Sequence, residues 1–186
     1  MSELIILIDC DGVLANFQSM AEDLVNEFIG FVPKWDEEWD MFLHPDVREH
    51  KSALFSEITK RPGCIRNLAK HEFADRMVDE LRGLGKLIAC TSVLGGHYPS
   101  ERFAWLNEEL GFKREDIILA HRKELVYGDV FIDDKPENIL NWKEKHPKGL
   151  ACLWQPPKKK TKVPDNVFST GNILELLTKI KGKYGV

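Results

Sequence analysis

The sequence predicts a three-layer α/β fold: a central parallel sheet, helices on both faces, and a small helical cap inserted after the first strand. Three observations carry this. Apolar runs at Ile5 to Ile8, Leu87 to Cys90, Ile117 to Ala120, Val130 to Ile132 and Leu150 to Trp154 are short and bounded by turn residues, as strands buried on both faces are. Segments with helical spacing alternate with them, which calls for parallel strands joined by crossovers. Residues 16–77 hold no such run and carry helical spacing, breaks and clustered aromatics, so they read as an insertion. The core is accordingly assigned to residues 1–15 and 78–186, and the cap to residues 16–77.

In chain order, the first strand stops abruptly at Asp9-Cys10-Asp11-Gly12. Acids two residues apart on a strand point to one face, so both can meet one ligand at the strand's carboxyl end. Burying two acids is costly unless a positive group lies between them. Asp9 can attack an electrophile while Asp11 handles the proton. A calcium loop also begins this way, but Val13-Leu14-Ala15 supplies none of the later oxygen ligands.

From Asn16 to Gly30, Phe17, Met20, Ala21, Leu24, Val25, Phe28 and Ile29 recur at helical spacing. Phe17 follows the acids closely enough for core packing and a pocket role both to stay open. Trp35, Trp39 and Phe42 crowd an acidic stretch, where they either stack on a flat ligand or hold a small cap together. A helix over Phe73 to Leu84 leads into the second strand, which ends in Thr91-Ser92. Two hydroxyls followed by Gly95-Gly96 form a candidate anion cradle, with a simple turn as the alternative. Phe103, Leu106 and Leu110 mark a helix that stops at Gly111, and the third strand precedes the basic trio His121-Arg122-Lys123. The fourth strand repeats the opening theme by ending in Asp133-Asp134. Pro136 starts a helix with Ile139, Leu140 and Trp142 on its apolar face. A further strand at Gly149 to Trp154, a basic Pro-led loop over residues 156–162 and a closing helix from Gly171 to Ile180 complete the chain.

At 186 residues the chain suits one domain with an insertion. A formal charge of -4 gives no basic field to hold a long polynucleotide, which disfavours nucleic acid without excluding a nucleotide. Cys10, Cys64, Cys90 and Cys152 form no metal-binding pair, so reduced thiols in a cytoplasmic protein are expected. Met1-Ser2-Glu3 runs straight into the first strand, so no signal peptide is expected, and no apolar run approaches the roughly 20 residues that span a bilayer, so no membrane partner is expected. A homodimer stays open.

Two separate strands that both end in acids are hard to assign to chance. The ordered set Asp9 and Asp11, Thr91 and Ser92, Lys123, then Asp133 and Asp134 resembles the four motifs of the haloacid dehalogenase superfamily of phosphotransferases. Dehalogenases lack the second acid, so Asp11 points to phosphoryl transfer. Cys90-Thr91-Ser92 followed by Phe103-Ala104-Trp105-Leu106, and Lys123 ten residues before Asp133, are similar to the cytosolic type C 5′(3′)-deoxyribonucleotidase family.

That resemblance implies a Rossmann-like core, a Mg2+ cofactor and a small-molecule nucleotide substrate. It implies Asp9 as nucleophile, forming an aspartyl-phosphate, and Asp11 as acid and then base. It implies magnesium held by Asp9, by the backbone carbonyl of Asp11 and by the last acid pair, with Asp134 favoured as direct ligand and Asp133 as its support. Thr91 and Ser92 hold the phosphate oxygens, Lys123 neutralises charge, and Phe17 with the cap aromatics, Trp39 among them, encloses the nucleoside. A phosphatase of nucleic-acid ends or of another small phosphoester, a phospho-accepting signalling protein and a non-turning-over binding protein are the competing readings.

Overall fold

The computed structural model describes residues 3–34, 41–155 and 163–186. Among these, β1 (Ile5–Ile8), β2 (Lys86–Thr91), β3 (Ile117–Leu119), β4 (Val130–Asp133), β5 (Leu150–Trp154) and β6 (Phe168–Thr170) form one sheet. Its order is β3-β2-β1-β4-β5-β6, with every pairing parallel. The sequence reading stops at five strands. β6 is three residues long, lies at the sheet edge and contains Ser169 and Thr170, so it offers no apolar run to detect.

Alternation along the strands splits the core in two. Leu7, Cys90, Phe131, Ala151 and Leu153 face α6 (Pro136–Lys145) through its Ile139 and Trp142. Ile6, Ile8, Ala89, Val130, Ile132 and Cys152 face the opposite way, the side of α4 (Ala74–Arg82), α5 (Tyr98–Leu110) and α7 (Ile173–Tyr184), and buried residues of α1 (Phe17–Ile29), α2 (Pro45–Arg48) and α3 (Lys51–Lys60) extend the same apolar cluster. This is the three-layer α/β arrangement that the alternation predicts. Trp105 and Trp142 are fully buried, and each still satisfies its indole N–H, on Leu68 O at 2.8 Å and Val126 O at 3.1 Å. Truncating either to alanine costs about 3–5 kcal/mol by the usual cavity arithmetic. Leu140, expected on the apolar face of α6, is instead exposed, as is Phe28 on α1, because each lies at the margin of its helix's buried stripe.

Residues 16–34 and 41–73 are helical or irregular and contribute no strand, only an isolated bridge between Ala15 and Lys70. The expected boundary at 77/78 falls inside α4, whose Met77, Val78 and Leu81 are buried together with Leu87 and Ala89 of β2. Glu101, in the first turn of α5, ties the two parts of the chain together. Its carboxylate accepts the backbone N–H groups of Gly63, Ile65 and Arg66 at 2.6, 3.0 and 3.3 Å.

The direction of winding reverses between β1 and β4, and α/β sheets open a crevice at the carboxyl ends of the strands where this happens. Ile8 pairs with Ile132, so the next residues, Asp9 and Asp133, emerge side by side into that crevice.

Candidate active site

β1 ends at Ile8, one residue short of the first acid, so Asp9 and Asp11 lie in the following loop and not on the strand. Strand alternation therefore does not align them, and their carboxylates take different partners. The Asp9 N–H donates to Ile132 O at 2.9 Å, which fixes that residue against the end of β4.

Lys123 enters from the turn after β3 and is buried, 2% exposed, between two acids. Its Nζ donates to Asp133 Oδ2 at 2.7 Å and lies 2.7 Å from Asp9 Oδ1. The ammonium is thus the ion-pair partner of both acids. Burial works against the ammonium, but Asp9 and Asp133 together hold it charged, above the ordinary lysine range. Asp133 is completely enclosed. Besides Lys123 it accepts the Lys135 N–H at 2.8 Å on Oδ1, and Asn138 Nδ2 at 3.1 and 2.9 Å on its two oxygens.

Asp134 is the opposite case: its carboxylate has no hydrogen-bond partner among the described residues. Burial, then the neighbouring Asp133 and Asp9, push it well above the usual carboxylate range. It rests against Gly12, where a Cβ would run into the Asp134 carboxylate. Gly12 also has φ +76°, so both the turn and the close approach require glycine there. Carboxylate oxygens of Asp9, Asp133 and Asp134 lie within 4.8 Å of one another. An all-oxygen, acid-rich donor set that includes a carboxylate with no hydrogen-bond partner among the described residues suits a hard divalent cation.

Asp11 stands apart from this cluster. Arg102 Nη2 pairs with its Oδ1, and the Tyr98 hydroxyl donates to its Oδ2 at 2.5 Å. Arg102 is fully buried; Nη2 also reaches the Tyr98 oxygen at 3.2 Å, and Nη1 meets Cys10 Sγ at 2.9 Å. Burial raises the Asp11 carboxyl above its ordinary value, with Arg102 and Tyr98 opposing. The side chain keeps 23% of its surface accessible, so one side of it stays open.

Thr91 ends β2, buried, with its hydroxyl 3.4 Å from Ser92 O, a weak contact. The Ser92 hydroxyl donates to Ala120 O at 3.1 Å, so it must release that bond before it can donate to a ligand. Gly96, expected as part of an anion cradle, has φ +65° and packs against the Thr59 carbonyl, so its glycine is explained by the approach of α3. Phe17 opens α1 half-buried on the core, and Phe42 is buried with its ring 4.8 Å from that of Phe55. Trp35 and Trp39 lie outside the described residues, as does the basic loop 156–162.

Sequence reasoning does not reach Tyr98, Arg102 or Asn138. The first two are four apart, the spacing that places helix residues on one face, and Asn138 lies in the first turn after the second acid pair. A groove of about 860 Å³ lined by Leu150, Phe168, Lys143 and Lys183 lies at the start of β5 and β6. That is the opposite edge of the sheet from the acids.

Residues 3–167 match the family model described as 5′ nucleotidase, deoxy (Pyrimidine), cytosolic type C protein. The 5′(3′)-deoxyribonucleotidase of Clostridium acetobutylicum is 32% identical over 108 residues, 56% of this chain and 57% of that protein's length. The cytosolic type 5′(3′)-deoxyribonucleotidase of Homo sapiens is 31% identical over 146 residues, covering 70% of each chain. The HAD-hydrolase YfnB from Bacillus subtilis, bound to magnesium in its crystal structure, has a TM-score of 0.62 over 97% of this chain and 99% of that one. At 15% identity that likeness is one of fold.

Proposed function

This chain belongs to the family of cytosolic type C 5′ nucleotidases, and on that premise we propose that it is a phosphoric monoester hydrolase that releases phosphate from deoxyribonucleoside monophosphates. The observation that carries the reading is the gathering of four acids at one crevice: Asp9 and Asp133 share Lys123, Asp11 is held by Arg102 and Tyr98, and Asp134 has no hydrogen-bond partner among the described residues.

In the first step Asp9 attacks phosphorus, the bond to the nucleoside oxygen breaks, and the Asp11 carboxyl delivers a proton to that leaving oxygen. The Asp9–phosphorus linkage is an acyl phosphate. Asp11, now a carboxylate, takes a proton from water, whose oxygen attacks phosphorus and frees inorganic phosphate and Asp9. Lys123 stays between Asp9 and Asp133, offsetting charge on the nucleophile and the phosphoryl oxygens. Thr91 is the better placed of the two hydroxyls to donate to phosphate, since Ser92 is already engaged. Asp9, Asp134 and the Asp11 backbone carbonyl would hold magnesium, with Asp133 supporting from behind. Bound there, the ion neutralises phosphate charge and orients it for in-line displacement. The chain between β1 and α4 would serve as the cap over this crevice, with Phe17 and Trp39 the candidates to meet the nucleoside.

Phosphate release from a panel of deoxy- and ribonucleoside monophosphates, beside an aryl phosphate and a 5′-phosphorylated oligonucleotide, with magnesium or with chelator, tests the reading. Chelator-sensitive turnover concentrated on deoxynucleotides is the expected result. Turnover of aryl phosphate alone removes the nucleotide assignment, and preference for the oligonucleotide transfers the reading to nucleic-acid ends.

A further inference from the structure

Asp11 is the one acid of the four held by residues of α5 and by neither Lys123 nor the metal-ligand cluster. Its partners are arranged in a closed triangle. Arg102 Nη2 contacts both the Asp11 carboxylate and the Tyr98 oxygen, while Tyr98 donates its only hydroxyl proton to Asp11. Tyr98 and Arg102 occupy the first and fifth positions of α5, one turn apart, so the helix sets their separation. The arginine fork is further fixed by Cys10 Sγ and by its stacking near the Tyr98 and Trp105 rings, 5.4 and 5.5 Å from their centroids. With both rotors locked, the carboxyl of Asp11 has one orientation. Each oxygen has one of these partners and keeps acceptor capacity for a second, and the side chain is 23% accessible.

We infer that Tyr98 and Arg102 are positioning residues that clamp the Asp11 carboxyl in the orientation from which it passes a proton to the leaving oxygen; the inference rests on the phosphoryl-transfer reading above. The role assigned to both residues needs no contact with the reacting phosphate. Their effect is felt through Asp11 alone, and only where a leaving group needs a proton. A nucleoside alkoxide does. A nitrophenolate leaves without one, and kcat/KM reports the steps up to its departure.

Tyr98→Phe removes one hydroxyl and keeps the ring. The expected result is a fall in kcat/KM for a deoxynucleoside monophosphate of about 10-fold or more, the worth of a hydrogen bond to a charged group, with nitrophenyl phosphate changed less than about 2-fold. In an Asp11→Asn background the same substitution adds nothing further, because its path is already cut. Arg102→Lys keeps the charge but not the fork, and shows the same selectivity with a larger fall; if it does not fold, Tyr98→Phe decides alone. An equal fall for both substrates, no fall for either, or a full additional loss in the Asp11→Asn background overturns the clamp while leaving the phosphatase intact. A wild-type protein that hydrolyses neither substrate overturns the phosphatase reading and the clamp with it.

Discussion

The two acid pairs of this protein look alike in sequence and are treated oppositely in space. Each follows an apolar strand, and β1 and β4 are neighbours in the sheet. In the later pair Asp133 has both oxygens bonded by Lys123, Asn138 and the Lys135 amide, while Asp134, the next residue, has none bonded among the described residues. In the earlier pair Asp11 is the tied one, held by Arg102 and Tyr98, and Asp9 has only the Lys123 ammonium that it shares with Asp133. Each loop thus contributes one acid held by several donors and one acid with at most a single side-chain partner among the described residues, left to react or ligate. Charge balance follows from the same division. Lys123 and Arg102 offset part of four carboxylates, and the remaining demand falls where Asp9 and Asp134 meet.

The comparison breaks most sharply at Asp9. Asp9→Asn is expected to lower phosphate release by at least ~10³-fold while the far-ultraviolet circular dichroism stays close to wild type, since the amide fills the same space but cannot attack phosphorus. An active Asp9→Asn protein removes the covalent mechanism.

Within the later pair the two substitutions should separate. Asp133→Asn leaves buried Lys123 with a single carboxylate and is expected to cost about 3 kcal/mol of unfolding free energy in urea titrations. Asp134→Asn breaks no hydrogen bond, so it is expected to keep stability within about 0.5 kcal/mol while raising the magnesium needed for half-maximal turnover by roughly 10–100-fold. Two variants that behave alike would erase the distinction between anchored and open acids.

Glu101 supplies the smallest and cleanest contrast, an anchored acid held by neutral donors. Burial tends to raise its carboxyl, but the Gly63, Ile65 and Arg66 N–H groups outweigh that and hold it below the ordinary range. A folded value below the unfolded one adds stability that is complete above the unfolded value and is lost as pH falls through the folded value. Glu101→Gln should therefore lower stability by about 1 kcal/mol at pH 7, a shift of roughly 2–4 °C in Tm, with the gap from wild type closing as the pH is taken below 4. A gap that stays constant with pH assigns the effect to packing.

Much of the architecture was legible because it depends on local pattern. β1, β2, β4 and β5 are largely buried, so each is built around a continuous apolar run, and Ile173, Leu176, Leu177 and Ile180 of α7 keep helical spacing because one face meets the core. β6 was not legible, since a three-residue edge strand is fixed by its neighbour β5 and not by its own side chains. Among the acids, the sequence indicated which residues are chemically able to act but not which are free to. Nothing in Asp133-Asp134 distinguishes the two until β4 ends and α6 turns Asn138 back over the first of them.

The sequence by itself determined the alternating α/β order, the place of the acids at strand ends, and the family, because these reside in residue type and spacing along the chain. Only the tertiary structure decided that Arg102 and Tyr98, about ninety residues from Asp11, hold it, that Lys123 lies between Asp9 and Asp133, and that Gly12 makes room for Asp134. Those are contacts between loops brought together where the sheet's winding reverses, and strand periodicity carries no information about which partner arrives across that crevice.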